Sequence, residues 1–437
     1  MKKMNILDII AKKRDKKELN KEEIDFFVNG YTNGDVTDYQ AAALIMAIYL
    51  NGMSNEEITN LTLAMAYSGE VLDLSKLGEN VVDKHSTGGI GDKVTLILMP
   101  AVTALGVPVA KMSGRGLGFT GGTVDKLESI PGYNTQISVE EFIENVEKIG
   151  ISLMGQTLNL APADKKIYAL RDSISCVENI PLIASSIMSK KIASGANKIV
   201  LEVTVGNGAF MKNIDDARKL SETMINIGKL ANKEVVCILT NMDEPLGYSI
   251  GNTLEVIEAA EALQGEMEED VKQVVLELGS YMIKLAGCGD DINENKKRMI
   301  DCIDSGNAYM KFLELIENQG GDVSYINDVS KFENAKYVNP VLSDKSGYVK
   351  EIDAEKLGKI SCELGAGRVK KEDIIDNQVG LIINKKIGDI VEENEILGII
   401  HANDKDKLKK AEGELRSCFT ICEEVVHKPK VILEILN

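Results

Sequence analysis

The sequence predicts a multidomain protein: a helical module, an α/β domain with a largely parallel sheet, and a third C-terminal unit. Three observations carry this. The chain has 437 residues, too many for one ordinary hydrophobic core. Its first seventy residues hold helix-start signals ahead of apolar runs. From about residue 80 the texture changes to alternating strand and helix patterns.

Thr37 to Gln40 and Ser54 to Glu57 both read as capping boxes. They precede the apolar runs Ala41–Leu50 and Ile58–Ala66, with Gly52 and Gly69 as stops. Strands are expected at Val81-Val82, Val107–Met112, Ile151–Met154, Ile199–Val205 and Val235–Thr240. Helices are expected at Val94–Leu105, after Ser138, at Asp215–Ala231 and at Thr253–Leu263. Such alternation implies a parallel sheet covered by helices. Within it, PLIASSIMSKKIAS (residues 181–194) reads as a helix with proline in its first turn. It could rejoin the early helices, making that module discontinuous. From about Asn339 short strands and turns return, as at Lys386–Asp389.

Composition narrows the function. Hydrophobic residues make up 44% and charged residues 27%, the profile of a globular protein, and no apolar run is long enough for a membrane helix. The basic start is interrupted by Asp8 and Asp15 and lacks the apolar core of a secretory signal. A net charge of −18 argues against a nucleic-acid surface. An anionic ligand therefore needs a local cationic pocket. Seven scattered cysteines without a C-x-x-C pair point to a reducing cytoplasm. Cys418 and Cys422 are four apart and could share a helix face, but the spacing is a poor match to a metal site.

Two glycine-rich segments carry the chemistry. DKHSTGGIGD (residues 83–92) follows a strand and precedes a helix. Its glycines let backbone N–H groups approach an anion, and the helix start adds partial positive charge. Lys84 supplies a cation, Ser86 and Thr95 hydroxyl donors, and His85 a group whose ordinary pKa suits proton donation near neutrality. KMSGRGLGFTGGT (residues 111–123) also follows a strand and offers Ser113 and Thr123. Two such loops after adjacent parallel strands would lie side by side at the carboxyl edge of the sheet, where open α/β folds bind ligands. Arg115 reads equally well as a loop ion pair. In the 181–194 helix, Ser186 and Lys190 share a face, with Arg171 upstream. No Ser-His-Asp order, H-E-x-x-H or Walker motif is present, and an enzyme with a solvent-borne nucleophile needs none.

Residues 82–92, 111–131, 160–172, 181–191 and 206–211 closely resemble the thymidine and pyrimidine-nucleoside phosphorylases, and SGRGLGFTGGTVDKLE (113–128) resembles that family's signature. The similarity reaches 376–401 near the end. It implies a helical domain from residues 1–70 and 163–193, an α/β domain with a mixed sheet from 71–162 and 194–338, and a hammerhead-like domain from 339–437. It also implies a homodimer formed through the helical domains. Lys84, His85, Ser86, Thr95, Lys111, Met112, Ser113 and Thr123 would bind inorganic phosphate. Arg171, Ser186 and Lys190 would hold the pyrimidine, and His85, Arg171 and Lys190 would act on the leaving base. Domain closure about 69–78, 155–162 and 194–195 would exclude water. No organic cofactor is implied.

A monovalent cation, potassium, is implied between the Gly91, Leu246 and Ser249 carbonyls and the Glu258 carboxylate. Here the chain departs from the pattern: Lys93 stands where a threonine hydroxyl would serve, and an ammonium either repels the ion or takes its place. Phe119 likewise replaces a common histidine. Strict thymidine enzymes carry methionine where this chain has Lys111, so uridine, deoxyuridine and thymidine are all expected substrates. The alternatives are a thymidine-specific phosphorylase and an anthranilate-phosphoribosyltransferase-like enzyme, which would recruit Asp83, Asp92 or Asp125 for a diphosphate and magnesium. A third is a carrier module, since 379–400 faintly resembles a biotinyl hairpin that lacks its Met-Lys-Met tip.

Overall fold

A computed structural model of the chain describes residues 4–116, 119, 121–157, 159–370 and 373–437. Leu117, Gly118 and Thr120 of the second glycine-rich segment lie outside them. Four helices lead: α1 (Ile6–Arg14), α2 (Lys21–Asn33), α3 (Asp38–Asn51) and α4 (Asn55–Ala66). The expected caps form. Ser54 N donates to Glu57 Oε2 at 2.8 Å, and Glu57 N donates back to Ser54 Oγ at 3.3 Å. Thr37 N donates to Gln40 Oε1 at 3.1 Å.

The chain then enters the α/β part: β1 (Val82–Ser86), α5 (Val94–Ala104), β2 (Val109–Ser113), α6 (Thr123–Leu127), α7 (Val139–Ile149) and β3 (Ile151–Gly155). It returns to the first helices as α8 (Pro162–Ser173) and α9 (Ile180–Ala193). Ala163, Ile167, Cys176 and Leu182 share one apolar cluster with Phe27, Leu44 and Leu61, so the helical module is discontinuous. The connections run together: Glu70 N donates to Asn159 O at 3.0 Å and Leu72 N to Ala193 O at 2.8 Å. The α/β part resumes with β4 (Lys198–Val205), α10 (Ile214–Leu230), β5 (Glu234–Asn241), β6 (Ser249–Ile250) and α11 (Asn252–Ala262). Helices α12 (Glu269–Leu285), α13 (Ile292–Asp304) and α14 (Asn307–Asn318) share an apolar cluster with α5.

In the main sheet β1, β4 and β5 run parallel, and β13 (Ile432–Leu436) closes the edge antiparallel to β5. The sheet is thus mixed but mostly parallel. Three details differ from the sequence reading. First, β1 and β2 are not ladder neighbours, because β1 pairs along its length with β4 and β2 pairs with β3. One bond joins their starts, Val82 N to Pro108 O at 3.3 Å. Second, β1 does not stop at Val82. Pairing with β4 carries it through Ser86, so Asp83, Lys84 and His85 are strand residues whose side chains alternate between faces. Third, β13, read as part of the C-terminal unit, returns to the α/β sheet.

The C-terminal unit comprises β7 (Tyr337–Leu342), β8 (Gly347–Ile352), α16 (Ala354–Ser361), β9 (Gly380–Ile383), β10 (Ile390–Val391), β11 (Ile396–Ala402), α17 (Lys405–Arg416) and β12 (Phe419–Cys422), after the one-turn α15 (Ser324–Asn327). Two antiparallel sheets, β6-β9-β11-β7 and β10-β8-β12, enclose a core that includes Val349, Leu357, Leu381 and Leu415. No helix among the described residues is long and apolar enough to cross a membrane.

Candidate active site

Both glycine-rich segments follow strand ends and lead into helices. After Ser86, Thr87 N donates to Glu202 O at 2.9 Å, and the chain turns through Gly88 (φ 91°) and Gly91 (φ 74°) into α5. A Cβ at Gly91 would lie 2.4 Å from Leu246 O, so no larger residue fits this backbone. Thr95 sits in the first turn of α5. The second segment leaves β2 at Ser113 and enters α6 at Thr123. A carboxylate pins it: Asp125 Oδ2 accepts from Gly116 N at 2.7 Å and from Arg368 Nη1 of the C-terminal unit at 2.9 Å. Arg115 is an ion-pair residue, with Nη1 3.0 Å from Asp125 Oδ1 and Nη2 2.8 Å from Glu128 Oε1. The Phe119 ring lies 6.1 Å from that of Phe210, so this position offers an aromatic wall and no hydrogen bond.

Although β1 and β2 are in separate ladders, their loops converge on one cavity of about 190 Å³. It gathers His85, Ser86, Thr95, Lys111, Met112, Ser113 and Thr123, together with Lys190 from α9. Asp92, Gln156 and Lys191 line it as well. The side chain of Met112 belongs to the apolar cluster beneath.

Three expected residues are placed otherwise. Lys84 is fully buried and does not line the cavity; its ammonium lies 2.7 Å from Glu202 Oε2 and 3.9 Å from Asp92 Oδ1. Ser186 is buried, and its Oγ accepts from Lys190 Nζ at 2.9 Å. Arg171 is 1% exposed, and its guanidinium donates to the carbonyls of Cys176 (3.1 Å), Leu182 (3.0 Å) and Val177 (2.6 Å). Those bonds shape the α8–α9 connection and leave two of its five N–H protons uncommitted.

The electrostatics follow from crowding of lysines. Burial, reinforced by Lys191 and Lys84, lowers the Lys111 pKa to about 7 against the pull of Asp83 and Asp92. Lys111 Nζ donates to the Lys84 carbonyl. Burial lowers Lys84 too, but Asp92 and Glu202 outweigh it, and the net shift is upward. For His85, burial and then Lys191, Lys111, Lys190 and Lys84 push the pKa well below its ordinary value. The ring is therefore neutral at pH 7. The expectation of a ready proton donor gives way to that of an N–H hydrogen-bond donor.

Sequence reasoning missed the partners of these cations. Asp164 Oδ2 takes Lys190 Nζ at 2.6 Å, Asp83 Oδ2 takes Lys191 Nζ at 2.8 Å, and Glu202 takes Lys84. One signal was available. Glu202 stands in the buried middle of β4 among Val200, Leu201 and Val203, and a charge inside a buried strand demands a partner.

The implied potassium does not fit the residues present. Lys93 is fully buried, and its Nζ donates to Leu246 O at 2.8 Å and to Glu258 Oε2 at 2.8 Å. Glu258 also accepts from Tyr248 N (3.0 Å) and Ser249 N (2.6 Å). An ammonium thus holds the carbonyl and carboxylate that the metal would need.

Residues 7–69 match the model of the glycosyl transferase family, helical bundle domain, and residues 78–309 that of the same family's a/b domain. Residues 348–422 match the pyrimidine nucleoside phosphorylase C-terminal domain. The pyrimidine-nucleoside phosphorylase of Staphylococcus haemolyticus is 52% identical over 415 residues, covering 94% of this chain and 96% of that one. That of Geobacillus stearothermophilus is 48% identical over 431 residues, 99% of each chain. The Bacillus subtilis enzyme is 51% identical over 400 residues, 92% of each. Among solved structures, anthranilate phosphoribosyltransferase from Thermus thermophilus superposes with a TM-score of 0.60 at 18% identity, over 71% of this chain and 99% of that one. That likeness concerns the fold alone.

Proposed function

The chain belongs to the pyrimidine-nucleoside phosphorylases, and on that premise we propose that it cleaves uridine, deoxyuridine and thymidine with inorganic phosphate, giving free base and α-pentose 1-phosphate. The observation that carries this is the shared cavity. Anion donors from two loop–helix junctions and the ammonium of Lys190 from the helical module open onto one space.

Phosphate sits against Ser86, Thr95, Lys111, Ser113 and Thr123, where backbone N–H groups and cations favour a dianion. It attacks the anomeric carbon on the face away from the base. The bond to N1 breaks, and the base leaves with the electron pair spread over its carbonyl oxygens. Lys190 stabilises that charge where it develops. Neutral His85 donates a hydrogen bond, and a phosphate dianion beside it raises its proton affinity. In-line displacement inverts the anomeric centre. Closure about the three adjacent connections brings the two walls together and excludes water. Lys111 supports acceptance of ribose, because an ammonium there can reach a 2′-hydroxyl directly or through water.

Lys93 serves as a tethered substitute for the monovalent cation. Exposed Tyr39, Met46 and Leu50, spaced by seven and four residues along one side of α3, support a homodimer through the helical modules. Seven free cysteines suit a reducing cytoplasm. Incubating the protein with uridine, with and without phosphate, is the decisive test. Uracil and ribose 1-phosphate are expected only with phosphate. Phosphate-independent release of uracil, or turnover of cytidine equal to that of uridine, would count against the assignment.

A further inference from the structure

We infer that Asp83 is a positioning residue that couples the phosphate side of the cavity to the base side. The inference rests on the reading above, that one cavity takes both ligands. Asp83 lies on β1 and is 1% exposed. Its two oxygens serve different walls. Oδ2 accepts from Lys191 Nζ of α9 at 2.8 Å. Oδ1 lies 3.6 Å from Lys111 Nζ of β2 and has no hydrogen bond of its own. Lys111 and Lys191 both line the cavity. One buried carboxylate is thus shared by two buried ammoniums from different parts of the fold, fully bonded to one and held loosely by the other.

The neighbouring lysine shows that this is not simply how α9 is anchored. Lys190 is held by Asp164, which belongs to the same helical module. Lys191 instead reaches across to the α/β sheet. Through Asp83, the helix that carries Lys190 and Ser186 is tied to the strand that leads into the first anion loop. Two cations sharing one carboxylate repel each other, and Lys191 adds to burial, the larger cause, in lowering the pKa of Lys111. An anion entering beside Lys111 draws that ammonium away and relieves the repulsion. Asp83 is then left to Lys191 alone, and α9 docks more firmly on β1. Occupation of one wall therefore improves the other, and linkage makes the effect reciprocal.

The test is calorimetric titration of the full-length protein with uracil, with and without saturating inorganic phosphate, and the reverse. In the wild type each ligand should tighten the other by the same factor, about fivefold or more, the lower end of ordinary coupling. Asp83→Asn should bring that factor close to one, whatever it does to either affinity alone. Lys191→Met should do the same, and Lys191→Arg, which keeps the cation, should retain coupling. Combining Asp83→Asn with Lys191→Met should reduce the factor no further than either change alone. Should Asp83→Asn fail to fold, the two Lys191 variants carry the comparison. Full coupling in Asp83→Asn or in Lys191→Met, or no coupling in the wild type with both ligands bound, would overturn the inference alone. Failure of the wild type to bind either ligand would sink the functional reading beneath it.

Discussion

On the α/β side of the cavity, donors come from two loop–helix junctions, Ser86 to Thr95 and Ser113 to Thr123, with Lys111 buried between them. On the helical side they come from a single helix, where Lys190 is clamped between Asp164 and Ser186. The first wall has many backbone and hydroxyl donors, none indispensable by count. The second leaves one ammonium, Lys190, outside any tie to the other wall, because Lys191 is paired with Asp83 and Arg171 is committed to three carbonyls. Redundant donors suit an anion that must be held throughout the reaction. A single cation suits charge that appears only as the base departs. Substitutions should therefore be far costlier on the helical wall than hydroxyl by hydroxyl on the other.

The largest effect is expected from Lys190→Met. On the proposed mechanism it removes the donor that meets the developing charge, and it leaves the buried Asp164 without its cation. Loss of one such donor costs about a hundredfold to a thousandfold in kcat. Ser113→Ala, by contrast, should cost about tenfold or less, one neutral hydrogen bond among several. Steady-state kinetics on both variants test the comparison. Equal losses would mean that the two walls do not differ in this way.

An intermediate effect is expected at Lys111. Lys111→Met should lower kcat/KM for uridine about tenfold more than for thymidine, the worth of one charged hydrogen bond to the ribose. An unchanged ratio would remove Lys111 from sugar selection. The same residue sets a pH dependence. Its pKa of about 7 leaves it half-protonated near neutrality, among Asp83, Lys84, Asp92 and Lys191. Binding a permanent dianion favours the ammonium, so the protein takes up a proton on binding as pH rises through 7. Sulfate affinity, measured calorimetrically, should fall above that point in the wild type and vary less in Lys111→Met.

How much of this was legible in the sequence differs between the walls for the same physical reason. The loop residues stand in contiguous strings of glycine, hydroxyl and lysine after strands, and such strings announce an anion cradle. Ser186 and Lys190 were legible from helical spacing. The ion pairs were not: Lys191 with Asp83, Lys84 with Glu202 and Lys190 with Asp164 join distant segments, and no local pattern selects the partner. Arg171 was visible as a cation near the site, but which way its guanidinium turns depends on carbonyls exposed by the α8–α9 turn. Strand β13 was misplaced because an apolar run near the end of the chain does not say which sheet it will edge.

The smallest effect on turnover is expected at Lys93, which stands outside the cavity but braces the turn of the first loop. Its ammonium joins Leu246 O to Glu258, and Lys126 makes a parallel brace one turn earlier on α11, 2.6 Å from Glu255 Oε2 and bonded to Asp92 O at 2.6 Å. Two lysines thus fix the 91–93 turn to two carboxylates of one helix. With its cation built in, the wild type should keep its activity within about twofold when potassium is replaced by tetramethylammonium, since no cation binding is linked to its folded state. Lys93→Thr leaves Glu258 ion-unpaired, and removing one partner of a buried pair costs about 3–5 kcal/mol. Potassium can then occupy the place beside Gly91, Leu246 and Glu258, and mass action makes stability depend on its concentration. The variant's Tm and activity should climb with potassium and not with tetramethylammonium. A variant indifferent to potassium, or a wild type that needs it, would show that Lys93 is only a structural pair and not a substitute for the ion.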